Sequence, residues 1–76
     1  MTLKDFVSDY LNSETVITIY SRNGSEDMNF WYDYHGTVRC LLDDERYIRL
    51  LPGKVEHISP SFHKIQAILD IHVVMN

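Results

Sequence analysis

Cysteine is nearly absent. Cys40 stands alone in 76 residues, so no internal disulfide can form, and the stapled scaffolds on which small secreted domains usually depend are excluded. A reducing compartment is expected. Three glycines and two prolines leave no Gly-rich phosphate loop, linker or low-complexity stretch. No segment approaches the roughly 18 apolar residues of a membrane span, and Met1-Thr2-Leu3-Lys4-Asp5-Phe6 lacks an apolar stretch of signal-peptide length. The expectation is a cytoplasmic protein. Positive charge is short as well, with seven Lys and Arg against eleven Asp and Glu and a formal net charge of −4. That balance opposes binding to phosphate backbones and suits docking on a basic protein surface.

What remains is ordinary globular material. Hydrophobic residues make up 45% of the chain and charged residues 24%, far from the composition of disordered segments. The length accommodates one domain with one core, because a chain this small buries only about 60% of the surface that its unfolded form exposes.

Thr2 followed by Asp5 resembles a capping box with the shorter acid. Leu3, Phe6, Val7, Tyr10 and Leu11 then recur at helical spacing, which predicts a helix from about Leu3 to Leu11 with one wet face. The β-branched run Thr15 to Tyr20 predicts a strand. Asn23-Gly24 signals a hairpin, returning as a strand from Met28 to Tyr34. Simple alternation puts Met28, Phe30, Tyr32 and Tyr34 on one face of that strand and Asn29, Trp31 and Asp33 on the other. Thr37 can cap a short helix through Val38, Leu41 and Leu42, so the stretch to Leu51 is read as a helical or irregular crossover. Lys54 to Ser59 reads as a short strand ending at Pro60. The clearest strand is the last, where Ile65, Ala67, Leu69, Ile71 and Val73 alternate with Gln66, Ile68, Asp70, His72 and Val74. The fold class expected is α+β: an N-terminal helix packed on a four-stranded, mostly antiparallel sheet, with the crossover between strands 2 and 3.

Few residues suggest chemistry. The four histidines, His35, His57, His63 and His72, include no pair at the close spacing of zinc ligands, although His57 and His63 could approach across a hairpin mouth. They read as exposed or strand-edge residues. Cys40, between Arg39 and Leu41, reads as a small core residue rather than a nucleophile. No Gly-x-Ser-x-Gly or Cys-x-x-Cys is present, so the chain is expected not to be an enzyme and to need no cofactor or metal. The acidic run Asp43-Asp44-Glu45, flanked by Arg39, Arg46 and Arg49, reads either as a solvated charge pattern or as a docking patch. Phe30-Trp31-Tyr32-Asp33-Tyr34-His35 is richer in information, because whichever face is buried leaves aromatic residues on the other, and Trp and Tyr are enriched in binding hot spots. Either Trp31 is displayed or the crossover covers it.

The opening Met1 to Phe6, the Val16 to Tyr20 strand, the Gly36-Thr37-Val38 joint, the Val55-Glu56-His57-Ile58 strand and the closing Ile68 to Val73 strand together resemble small accessory proteins of bacteriophages and prophages. The resemblance is one of layout and covers most of the chain. It implies a phage accessory protein acting in the host cytoplasm, a class in which some proteins of this size and acidity inhibit host defence, anti-CRISPR proteins among them. The leading expectation is a non-catalytic protein that blocks a host protein by protein–protein interaction, through Trp31, Tyr32, Asp33, Asp43, Asp44 and Glu45, without touching nucleic acid or membrane. Two alternatives stay open. One is a homo-oligomer sequestering a nucleotide signal through Arg22, Arg39, Arg46, Arg49, Lys54 and Lys64. The other is an assembly protein whose strand edge pairs with its own copy, as in a homodimer.

Overall fold

A computed structural model of the chain describes residues 1–24 and 29–75. Met28, with which the sequence reading begins the returning strand, lies outside the described residues. The fold is α+β, with helix α1 (Leu3–Asp9), strands β1 (Val16–Asn23) and β2 (Trp31–Thr37), helix α2 (Val38–Asp43), a 3₁₀ segment (Glu45–Leu50), and strands β3 (Lys54–His63) and β4 (Gln66–Met75). The sheet order is β2-β1-β4-β3. Its outer pairings, β1 with β2 and β3 with β4, are antiparallel, and its central pairing, β1 with β4, is parallel.

The helix begins as its sequence predicts. Thr2 Oγ1 accepts from the Asp5 amide at 3.2 Å, and the Leu3 and Lys4 amides donate to the carbonyls of Gly53 and Leu51, so the first turn leaves few orphan donors. It ends two residues early, at Asp9. There Asn12 takes over the backbone, its side chain accepting from the Glu14 amide and its carbonyl from Thr15, the local competition that makes Asn a turn former. Leu3 and Val7 reach the core fully buried, with Phe6 and Leu11 packed around them.

The crossover is helical. Thr37 caps α2 by accepting from the Cys40 amide, and Asp44 caps the 3₁₀ segment by accepting from the Arg46 amide. Val38, Leu41 and Leu50 enter the core beside Ile17, Ile19, Tyr34, Ile71 and Val73. Cys40 does not follow the sequence reading. Val38 and Leu41, three apart, take the inward positions of this short helix, so Cys40 turns outward and is exposed.

Two strands also depart from expectation. Ile19 pairs with Tyr34 but Tyr20 pairs with Tyr32, leaving Asp33 as an extra residue on β2. This bulge resets the alternation, so Tyr34 is buried in the core while Tyr32 stands opposite Tyr20 on the other face. Tyr32 and Tyr34 therefore do not share a face. Pro60 does not end β3 but lies within it, opposite Leu69. An outer strand tolerates a missing N–H because only one of its edges is paired. His57 and His63 consequently sit on one extended strand and do not meet across a hairpin mouth.

Candidate functional site: the open face of the sheet

Both helical elements and the 3₁₀ segment lie on one side of the sheet, where Leu3, Val7, Val38, Leu41 and Leu50 meet the inward residues of β1 and β4. On the other face the strand alternation displays polar and aromatic side chains in rows that the strand register aligns. One row runs His35, Thr18, Asp70, Ser59 across the four strands, and the next runs Tyr32, Tyr20, His72, His57.

The second row is a continuous series of rings. Tyr20 stacks on His72 with centroids 5.1 Å apart and planes 16° apart. Tyr32 meets Tyr20 edge-on at 6.1 Å, and His57 lies 5.7 Å from His72. Phe30, just before β2, stands edge-on to His72 at 4.8 Å, and the Arg22 guanidinium lies 5.1 Å from the Phe30 centroid while pairing with Glu56 at 2.8 Å. His72 Nδ1 is enclosed here without a hydrogen-bond partner among the described residues.

The first row opens into a concave cleft of about 370 Å³ between β2 and the projecting tip of the β3–β4 hairpin. Tyr20, Tyr32 and Phe62 form its aromatic lining, with Thr18, His35, Ser61, His63, Ile68 and Asp70 supplying the remainder. Thr18 Oγ1 and His35 Nδ1 are hydrogen-bonded at 2.9 Å. The half-buried Asp70 carboxylate has neither a hydrogen bond nor an ion pair among the described residues.

The six residues singled out from sequence fall in three places. Trp31 and Tyr32 are adjacent at the start of edge strand β2 and are 62% and 63% exposed, Tyr32 on the open face opposite Tyr20 and Trp31 on the other side of the strand opposite Ser21, and the crossover does not cover Trp31. Asp33 is turned inward, with its side chain 13% exposed, where it accepts from Ser21 Oγ and pairs with Arg49 at 3.0 Å. Asp43, Asp44 and Glu45 occupy the joint between α2 and the 3₁₀ segment and belong to the helical layer rather than the open face. Arg46 grips Asp44 through Nη2 at 2.7 Å, and this hydrogen bonding holds the Asp44 carboxyl below its ordinary range. Asp43 and Glu45 remain exposed.

Sequence reasoning did not single out Thr18, Tyr20, Asp70 and His72 as a surface. Their signal was present as the polar members of alternating strands. What aligns them is the parallel β1–β4 pairing, which no local pattern encodes. All four arginines carry acidic partners, with Arg39 joined to Glu14 in addition to the pairs above. Among the described residues, no group of three or more His, Cys, Asp or Glu is placed to hold a metal, and no helix is long and apolar enough to cross a membrane. No protein-family model, curated protein or solved structure matches the chain.

Proposed function

We propose that this chain is a non-catalytic binding domain that acts by occupying a surface of another protein. The observation that carries the reading is the exposure of Trp31 and Tyr32 on the two sides of an edge strand, Tyr32 on a sheet face against which no described element packs. Large aromatic side chains presented on a rigid strand bind with little loss of conformational entropy. The partner class we infer is a host protein with a basic, nucleic-acid-handling surface, such as a CRISPR or other defence complex, which the phage-type layout and the net charge of −4 support. The engagement of all four arginines in ion pairs weighs against the alternative of a phosphate-binding oligomer.

Affinity capture from a bacterial host lysate tests the reading. The expected result is one host protein retained in equimolar amount by the native chain and lost with a Trp31→Ala variant of unchanged circular dichroism. Truncating a central aromatic anchor weakens binding by about 2 kcal/mol or more, roughly thirtyfold. Equal capture by that folded variant, or a clean self-oligomer carrying a nucleotide, overturns it.

A further inference from the structure

Among the described residues Asp70 is the one carboxylate lining the open-face cleft, and it has no hydrogen-bond or ion-pair partner there although it is half-buried. Neither of its oxygens is closed off from solvent, so the carboxylate is available to a cation that enters the cleft from outside. Among the described residues no arginine or lysine forms an ion pair with Asp70, the four arginines being engaged with Glu14, Asp33, Asp44 and Glu56. Tyr20, Tyr32 and Phe62 line the same cleft; one face of Tyr20 is stacked on His72, and aromatic faces left uncovered attract cations. Of the histidines near Asp70, His35 stands two strands away with Nδ1 engaged by Thr18, His63 also lines the cleft, and His72 follows two residues along β4.

We propose that this cleft receives an arginine side chain of the partner protein, its guanidinium paired with Asp70 and lying against the tyrosine rings. The inference rests on the proposed protein-binding function and names the chemistry its partner presents. A planar guanidinium matches the site better than an ammonium, because it can pair with a carboxylate through two N–H groups while stacking on an aromatic face. The Ser61 and tyrosine hydroxyls offer further acceptors at the rim, and about 370 Å³ accommodates the aliphatic stem together with the head group.

The test uses the full chain, isotope-labelled, titrated with N-acetyl-arginine amide and followed by amide NMR shifts. The expected result is saturable movement confined to Thr18, Tyr20, Asp70 and their neighbours. The neutral isostere N-acetyl-citrulline amide should bind at least tenfold more weakly, as should arginine to an Asp70→Asn variant whose spectrum otherwise superposes on the native one. A Tyr20→Leu variant supplies an independent check if the Asp70 variant fails to fold, and should also lose at least tenfold in affinity. Shifts that do not saturate, equal binding of citrulline, or preference for the lysine analogue overturns the proposal. So does an Asp70-dependent dimer in sedimentation, which would make a second copy of the chain the occupant. Trp31 does not line the cleft, so an arginine titration that fails while capture still depends on Trp31 removes this inference and leaves the proposed function standing.

Discussion

Asp33 and Arg49 are joined at 3.0 Å across the seam between the bulged edge strand and the last turn of the 3₁₀ segment. The extra residue of the bulge is thereby tied to the helical layer, while its second carboxylate oxygen accepts from Ser21 on β1. This anchoring holds the change of register that turns Tyr34 into the core and Tyr32 onto the open face.

Asp33→Ala should therefore act on stability. It removes two charge-assisted hydrogen bonds at a largely buried group and leaves Ser21, 8% exposed, without its partner. The expected loss is about 2 kcal/mol, a fall in Tm of about 10 °C for a domain of this size. Arg49→Ala, whose side chain is 60% exposed, should cost under about 1 kcal/mol. Paired thermal melts of the two variants provide the comparison, and an equal, small loss from both would show that the bulge needs no such anchor.

Tyr34 gives a pH dependence. Its hydroxyl donates to the Thr37 carbonyl at 2.7 Å, and burial, with smaller contributions from the charges of Cys40, Tyr47 and Asp44, pushes its phenol above the ordinary 10.0. The folded chain then keeps a proton that the unfolded chain releases, so the Tyr34 contribution is complete below pH 10.0 and is lost as pH rises through the folded value. Tyr34→Phe should cost about 1 kcal/mol at neutral pH, and its deficit should shrink in alkali because phenylalanine has no proton to lose. Urea titrations of both proteins on either side of that pH measure the difference.

Much of the layout was legible because it is local. Thr2 and Thr37 cap helices as their spacing predicts, and β4 buries Ile71 and Val73 as its alternation predicts, whereas Ile65 and Ala67 of the same series are exposed and Ile68 of the other is buried. The crossover is helical because Val38 and Leu41 supply one buried face. The same short helix explains why Cys40 was misread: apolar neighbours in sequence became inward neighbours only at i and i+3, and Cys40 lies between them. The bulge at Asp33 was not legible, because Arg49, which helps to hold it, lies sixteen residues away. Pro60 misled for a related reason, since its tolerance depends on β3 being an outer strand, a fact of topology. Trp31 and Tyr32 were readable as a candidate surface, whereas the Asp70 cleft arises only when β1 and β4 pair in parallel.

Lys64 adopts φ 58° at the tip of the β3–β4 hairpin, a left-handed conformation that a Cβ makes unfavourable by roughly 1–2 kcal/mol. Lys64→Gly should remove that strain and return part of it as unfolded-state entropy, for a net gain of about 0.5 kcal/mol. A small rise in urea midpoint with an unchanged m-value is the expected signature. A fall would mean that the lysine stem contributes more to the hairpin than its backbone conformation costs.

Trp31 is the single tryptophan of the chain and stands at the rim of the edge strand at 62% exposure, so its fluorescence reports that rim without interference. The free protein should emit at the long-wavelength, water-exposed end of the range and be quenched readily by iodide. Trp31→Ala should leave the chain folded, because a side chain on a residue 62% exposed contributes little buried area to the core. Binding of a partner at the rim should shift the emission to shorter wavelength and protect it from iodide. The folding and binding contributions of this side chain thus separate. A variant that unfolds would assign Trp31 to the core, and a partner bound with no change in emission would place the interface elsewhere.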